Sequence, residues 1–181
     1  TGKSGLYSSF ADVGGCTIDN FSADPLSATA TTLQGPVLGI AEAAFHAASF
    51  LATGFSVVTT MTRTCIIAER LVQRYGFEHL CRGVHGTDIP VLALEDGTGE
   101  VLAQLEAASR EALARDRSGA LVLGCAGMAP LCAHLAHSLG VPVIDGVAAA
   151  VKMGEALASL GLKTHKQGDY ALPIPKRFNR F

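Results

Sequence analysis

Cys125 is the residue whose neighbours most favour chemistry in this chain of 181 residues. It comes after the apolar run Ala120–Leu123, which predicts a buried strand. Gly124 and Gly127 flank it, so the backbone can bend tightly there and approach a ligand. We predict a helix shortly afterwards, and the N–H groups and partial positive charge of a helix N-terminus favour a thiolate and bind anionic oxygens. The predicted site has Cys125 as a reactive thiol, with Gly124, Ala126 and Gly127 against the ligand. The alternative is a small cysteine that only packs at a strand end.

Thr59 and Thr60 form a second candidate, at the end of the apolar run Phe55–Val58. Their hydroxyls could hold a carboxylate or imide oxygen, and capping of the next helix is an equally good interpretation. The other polar residues near helices fit structural roles as surface or core side chains, dipole partners or caps: His46, His134, His137, Glu42 and Asp145.

Two parts of the chain resemble each other. Asn20–Leu26 matches Cys125–Leu131, with Pro-Leu at the same offset, and after a similar interval Pro36–Gly39 matches Pro142–Asp145. An Ala-rich helix is predicted after each. Common dipeptides of α/β proteins are one explanation, but the matching spacing favours two pseudo-symmetric halves. Asn20 and Cys125 would then end equivalent strands on opposite sides of one cleft.

Predicted strands alternate with predicted helices along the chain, and each strand is a short, continuous apolar run. This alternation is typical of a parallel sheet covered by helices on both faces, which binds ligands at the carboxyl ends of its strands. The predicted strands are Cys16–Phe21, Pro36–Ile40, Phe55–Thr59, Ile89–Leu94, Ala120–Leu123 and Val141–Ile144. The predicted helices are Glu42–Leu51, Thr62 or Thr64 to Tyr75, Leu102–Arg115, Pro130–Leu139 and Val147–Leu160.

Composition and charge argue against several classes of protein. The net charge is −2 without a basic run, so we expect no nucleic-acid partner. No apolar stretch reaches the roughly 18 residues of a membrane span and no signal peptide is visible, so we expect no membrane partner. The five cysteines are irregularly spaced without a Cys-x-x-Cys pair. This argues against a zinc site and favours reduced thiols in the cytoplasm. Apart from Cys125, we interpret them as small core residues.

Five segments share their pattern with one known family: Leu121–Met128, Pro36–Ala43, Phe55–Thr60, Gly140–Asp145 and Leu162–Lys166. From about Ile18 onward the chain resembles the hydantoin and allantoin racemases of the Asp/Glu/hydantoin racemase superfamily. The resemblance implies an α/β fold of two pseudo-symmetric lobes with parallel sheets flanked by helices. The first lobe would hold residues 1–41 with about 160–181, and the second 42–159. It also implies racemisation at an acidic carbon next to a carbonyl by two cysteines on opposite faces of a small-molecule substrate. No metal or organic cofactor is implied.

The chain departs from the family pattern at two places. Family members normally begin with a strand carrying an Asn-Pro-Asn-Thr motif, which is not found here, so either the sequence is truncated or the first lobe is incomplete. The family's first cysteine falls on Asn20, whose amide hydrogen-bonds but does not exchange a proton at useful pH. Cys16 lies about 13 Å away along a strand, and Asp19 points to the opposite side, so neither replaces the missing thiol.

Three hypotheses about function follow. The first is a racemase for a hydantoin- or allantoin-type ring, impaired by Asn20, with Phe21 either stacked on the ring or simply in the core. The second is a one-cysteine decarboxylase or lyase of the arylmalonate type. The third is a binding relative without turnover. Proton exchange at the substrate carbon separates the first two from the third, and loss of CO₂ identifies the second. The apolar Ala-rich helices also favour a homo-oligomer.

Overall fold

The computed structural model describes residues 11–13, 16–19, 35–95 and 99–174, the first two segments and Glu95 by their backbone alone. The chain divides into two compact units. One is Ile40–Ala150, and the other comprises the residues up to Gly39 and from Val151 onward. The predicted bounds of the two lobes stay a prediction.

The smaller unit contains a sheet of three short strands: β1 (Ala11–Val13), β2 (Cys16–Asp19) and β3 (Val37–Gly39). β2 pairs in parallel with β3, as predicted, whereas β1 pairs antiparallel with β2 and was not predicted. In the same unit the Thr164 hydroxyl donates to the Gly35 carbonyl at 2.7 Å. This bond ties the C-terminal stretch to the segment that leads into β3.

The larger unit is built around four strands, and six α-helices follow β3 among the residues that the structure describes. The strands are β4 (Phe55–Thr59), β5 (Cys81–Gly86), β6 (Ala120–Leu123) and β7 (Val143–Asp145). The helices are α1 (Ile40–Leu51), α2 (Cys65–Arg74), α3 (Val91–Glu95), α4 (Gly99–Asp116), α5 (Cys132–Leu139) and α6 (Gly146–Ser159). All pairings in this sheet are parallel, in the order β5-β4-β6-β7. The predicted α/β fold with a helix-flanked parallel sheet is confirmed.

The two central strands explain why the sequence forms this sheet. Every residue of β4 and of β6 is buried, and most of these residues are apolar, so helices must cover both faces of the two strands. On one face Phe45 of α1 stacks on Phe55 with ring centroids 5.4 Å apart, and Phe77 packs against both rings. On the other face α3, α4 and α5 bury a second cluster around Leu105, Leu121 and Leu135.

One sequence prediction about this unit was wrong. Ile89–Leu94 was expected to be a strand, but Val91–Glu95 is helical, because Pro90 stands before the first helical turn, where its fixed φ and missing N–H are tolerated. The true neighbour of β4 is β5, with the sequence Cys-Arg-Gly-Val-His-Gly. This edge strand contains polar residues and two glycines, so its sequence lacks a continuous apolar run.

The strand–helix junctions of the two predicted halves are alike. β3 passes directly into α1 and β7 passes directly into α6, without an intervening loop residue. β2 pairs in parallel with β3, just as β6 pairs in parallel with β7. The pseudo-symmetry of two lobes stays a prediction. The segment Asn20–Leu26 lies outside the described residues.

Candidate active site

The strand order places the carboxyl ends of β4 and β6 side by side. The chain leaves β4 toward β5 at one edge of the sheet and leaves β6 toward β7 at the other. Diverging connections of this kind open a crevice at the carboxyl ends of the strands, which is where open α/β sheets bind ligands. The Gly124 N–H donates to the Val58 carbonyl at 2.8 Å, so the ladder continues one residue beyond β6. Cys125 follows directly at this carboxyl end of the sheet.

Cys125 has an extended backbone with φ −140° and ψ 131°, and it precedes a 3-10 helix over Ala126–Leu131. The Met128 N–H donates to the Cys125 carbonyl at 3.0 Å, which makes Cys125 the first acceptor of that turn. The N–H groups of Ala126 and Gly127 come before the first hydrogen bond of the turn, where helical N–H groups lack a helical acceptor. The thiol is partly buried against the cluster beneath α4 and α5. The helix predicted from Pro130 is a 3-10 turn first, with the α-helix beginning at Cys132.

Gly124 and Thr59 are in contact at the ends of β6 and β4. A Cβ on Gly124 would lie only 2.9 Å from the Thr59 Cβ and 3.2 Å from the Val57 Cγ1. The Thr59 hydroxyl donates to the Gly124 carbonyl at 3.4 Å. Close packing of two strand ends is therefore sufficient to explain the glycine, and Thr59 holds those ends together.

Helix capping was the alternative interpretation of the Thr59–Thr60 pair. Neither residue is at the N-cap of the next α-helix. Thr64 occupies the N-cap of α2, but its hydroxyl donates to the Met61 carbonyl at 2.6 Å and makes no capping bond. Asp145, by contrast, caps α6 as expected. Its carboxylate accepts the N–H groups of Val147 at 3.0 Å and Ala148 at 3.1 Å.

The loop after β5 reaches this edge of the sheet, and the sequence analysis missed it. The Thr87 N–H donates to the Thr59 carbonyl at 3.0 Å, and the Thr87 hydroxyl lies 3.2 Å from the Thr60 carbonyl. Asp88 has φ 55° and accepts both the N–H and the hydroxyl of Thr62 at 2.9 Å. These two hydrogen bonds lower the pKa of the Asp88 carboxyl. The available signal was the Asp-Ile-Pro sequence, since aspartate tolerates the left-handed region and proline begins helices.

The other described cysteines lie in places that keep their thiols protonated. Burial raises the pKa of the Cys81 thiol to about 11, and burial likewise raises the pKa of Cys65 and of Cys132. The Cys132 thiol also donates to the Val143 carbonyl at 3.2 Å. All four described cysteines are free of disulfides. A packing role for Cys132 agrees with these contacts.

The structure brings together part of the predicted site. Thr59, Thr60, Gly124, Cys125, Ala126 and Gly127 all lie at the carboxyl ends of β4 and β6. Asn20 and Phe21 lie outside the described residues, so their place in the site stays a prediction. Among the residues that the structure describes, no group of three or more His, Cys, Asp or Glu side chains could hold a metal ion.

Comparison with known proteins decides the family. The chain matches the family described as Asp/Glu/hydantoin racemase over residues 11–154. It belongs to that family. The resemblance to this family seen in the sequence is confirmed.

Relatives of this family member include both hydantoin and allantoin racemases. A hydantoin racemase from Rhizobium meliloti is 48% identical over 151 residues, covering 83% of this chain and 63% of that protein. A hydantoin racemase from Pseudomonas sp. strain NS671 is 40% identical over 156 residues, covering 86% of this chain and 63% of that protein. The solved structure of an allantoin racemase from Klebsiella pneumoniae is 50% identical with a TM-score of 0.84, covering 92% of this chain and 68% of that one. The chain thus spans a little under two thirds of the length of these two hydantoin racemases.

No helix in the described part of this family member is long and apolar enough to cross a membrane. A cytoplasmic location and association into homo-oligomers stay predictions.

Proposed function

We propose that this protein is an isomerase of the racemase type that moves a proton at the carbon next to a carbonyl of a hydantoin- or allantoin-type ring. Cys125 is the acid–base residue. The main support is the position of Cys125 at the carboxyl ends of β4 and β6, from which the chain leaves toward opposite edges of the sheet. The chain also belongs to a family whose relatives are named hydantoin and allantoin racemases. We infer that the reaction needs no organic cofactor, because the carbonyl of the ring itself accepts the electron pair.

The proposed step is a reversible proton transfer. The Cys125 thiolate takes the hydrogen of the ring carbon as H⁺, so an S–H bond forms as the C–H bond breaks. The electron pair of the C–H bond moves into the ring, and the negative charge collects on the carbonyl oxygen as an enolate. The N–H groups of Ala126 and Gly127 stand beside Cys125, where hydrogen bonds to that oxygen would stabilise it. Return of the proton from sulfur to carbon regenerates the thiolate.

Racemisation also needs a proton donor on the opposite face of the planar enolate. In the family pattern that position falls on Asn20. An amide donates hydrogen bonds but does not give up a proton near neutral pH, so solvent would have to supply the second proton. We therefore propose that exchange on the Cys125 face is faster than inversion. Because racemisation requires inversion, a rate of inversion below the rate of exchange means reduced racemase activity.

The test is incubation of separate D- and L-5-benzylhydantoin, and of allantoin enantiomers, in D₂O. Deuterium at the ring carbon is read by mass spectrometry, and chirality is read by chiral chromatography in the same samples. We expect deuterium uptake into one enantiomer with little inversion. Full inversion at the rate of uptake would show a second base and contradict the role given to Asn20. Absence of uptake above the protein-free rate would overturn the proposed function.

A one-cysteine decarboxylase is the second candidate, and the asparagine at position 20 is the observation that favours it. Protonation of an enolate from one face needs only one thiol. In that reaction a C–C bond of a malonate-type acid breaks, CO₂ leaves, and the enolate takes its proton from the Cys125 thiol. Release of CO₂ from an arylmalonate, together with loss of that release in Cys125→Ser, would replace the racemase proposal with this one.

A further inference from the structure

Two apolar side chains of α3 lie beside Cys125, at a place no motif had indicated. A methyl group built on Gly127 would lie 3.7 Å from the Cys125 Sγ, 3.5 Å from the Val91 Cγ1 and 3.8 Å from the Leu94 Cδ1. The thiol and the two hydrocarbon groups therefore surround the same glycine at van der Waals distance. Leu94 is buried, with 5% of its surface exposed, whereas Val91 keeps 42% exposed.

The start of α3 is held in place by hydrogen bonds to the end of β4 and the turn after it. Asp88 accepts the N–H and hydroxyl of Thr62, and Thr87 donates to the Thr59 carbonyl. A Cβ on Gly86 would lie 2.4 Å from the Thr62 backbone, so the two loops are in direct contact. Val91 and Leu94 thus belong to a well-supported element.

The two flanks of the thiol differ in chemistry. The N–H groups of Ala126 and Gly127 stand at the start of the 3-10 turn, whereas Val91 and Leu94 offer only hydrocarbon. The reacting ring carbon must lie within reach of the Cys125 sulfur. It is bonded to the transferred hydrogen, a ring nitrogen, the ring carbonyl carbon and one variable substituent. The polar ring edge matches the hydrogen-bonding flank, which leaves the substituent for the apolar flank. A hydrogen-bonding substituent placed there would lose water without gaining a partner.

We propose that Val91 and Leu94 form an apolar wall beside Cys125 that selects a hydrocarbon substituent on the reacting carbon over a ureido substituent. Val91 is the specificity-determining member, because its exposed portion is the part a ligand can touch. This inference rests on the proposed function for the identity of the reacting carbon, and its test is designed to separate the two.

The test compares Val91→Thr with a matched control on the same helix, Leu92→Thr. Threonine keeps the branched shape of valine and replaces one methyl by a hydroxyl, so it supplies the wall with a hydrogen-bonding group. Leu92 is 74% exposed, and its change adds the same residue type to the helix surface. The melting temperature of each variant checks that the fold is retained.

Two readouts are taken on the full chain for 5-benzylhydantoin and for allantoin. One is the rate of deuterium uptake at the ring carbon. The other is protection of Cys125 from iodoacetamide, followed by mass spectrometry, which yields a dissociation constant without any turnover. We expect wild type to prefer benzylhydantoin in both readouts. Val91→Thr should move the ratio of the two substrates toward allantoin by about tenfold, and Leu92→Thr should leave it unchanged.

Each outcome decides between the ideas. Protection of Cys125 without deuterium uptake overturns the proposed function. In that case the ratio of the dissociation constants of 5-benzylhydantoin and allantoin still tests the apolar wall. An unchanged ratio in Val91→Thr, an equal shift in Leu92→Thr, or a wild-type preference for allantoin overturns the wall. Failure of both compounds to protect Cys125 also overturns it, because a ligand touching Val91 must shield the neighbouring thiol.

Discussion

Two regions on the same face of the larger sheet contain reactive residue types. Near the amino end of β4, Ser56 donates to an Asp116 carboxylate oxygen at 2.6 Å. The His85 side chain comes from the later part of β5, and its Nε2 lies 2.6 Å from the same oxygen. Ser56 is also 2.8 Å from the Ser118 hydroxyl. Toward the carboxyl ends, Cys125 stands beside a glycine and two hydrocarbon groups.

The serine, aspartate and histidine look like a hydrolase triad by residue type, but their arrangement is different. In a triad the histidine lies between the serine and the carboxylate, so that it can accept the serine proton. Here the carboxylate lies between the other two and binds both through one oxygen. Only 7% of the Asp116 side chain is exposed, and Ser56 and His85 supply hydrogen-bond partners for its carboxylate. The group is a structural network.

Gly83 and Gly127, one in each region, also differ in the space around them. A Cβ on Gly83 would lie 2.2 Å from an Asp116 carboxylate oxygen and 2.6 Å from the His85 Nε2, so that space is already filled. A Cβ on Gly127 would meet its neighbours only at ordinary contact distances of 3.5 Å and more. Reactive residue types therefore indicate a site only where there is room for another atom.

The largest effect should come from Cys125→Ser. Serine is a far weaker acid than cysteine, so deuterium uptake should fall by about 10³-fold, within the range of general acid–base catalysis. The melting temperature should change little, because the partly buried thiol is replaced by a group of similar size. Uptake is measured in D₂O beside the control Cys132→Ala, which removes a thiol held by Val143 in the same segment. Retained uptake in Cys125→Ser, or an equal loss in Cys132→Ala, would contradict the role of Cys125.

The next largest effects are expected from two glycine substitutions, one that lowers stability and one that lowers activity. Gly83→Ala should reduce the free energy of unfolding by about 1–3 kcal/mol, because the methyl displaces the Asp116–His85 pair. Gly127→Ala should leave that free energy nearly unchanged but slow deuterium uptake roughly 10- to 100-fold by misplacing the substrate against the thiol. Urea unfolding and uptake per folded molecule are measured on both variants. The comparison fails if Gly83→Ala slows uptake in the folded protein or if Gly127→Ala unfolds it.

The smallest effect concerns Asp88, an exposed carboxylate that contrasts with buried Asp116. Hydrogen bonds from Thr62 hold the folded-state pKa of Asp88 below its ordinary value of 3.8. Its contribution to stability is therefore present above pH 3.8 and is lost as the pH falls through the folded-state value. Asp88→Asn should lower the melting temperature at neutral pH, and the difference from wild type should close on acidification.

Glu42→Gln is the control of opposite sign for the same series of thermal melts. Burial raises the pKa of the Glu42 carboxyl, so its contribution to stability is present below its ordinary value of 4.5 and is lost as the pH rises through the folded-state value. The glutamine variant should gain stability relative to wild type toward neutral pH. A difference for Asp88→Asn that does not vary with pH would show that its hydrogen bonds do not depend on the charge.

The regular part of the fold was predictable because its signals are local. β6 is a continuous apolar run and β4 is mostly apolar and β-branched, while α1, α4 and α6 are long segments of good helix formers ended by glycine or by polar turns. The Gly-Cys-Ala-Gly sequence marked the end of β6 as a site for the same reason. The edge strand β5 was missed because the sheet covers only one of its sides, so its burial is incomplete and its apolar signal is weak.

The sequence by itself determined the family, the strands and helices that form the core, and the choice of Cys125, because residue types and their spacing along the chain carry that information. Only the tertiary structure decided that Val91 and Leu94 of α3 lie around Gly127 together with the Cys125 thiol, and that Ser56 and His85 both bind the Asp116 carboxylate. These contacts join residues far apart in sequence, and they depend on the order in which parallel strands pair. That order follows from burying both faces of the sheet at once, which is a property of the packed unit rather than of any segment.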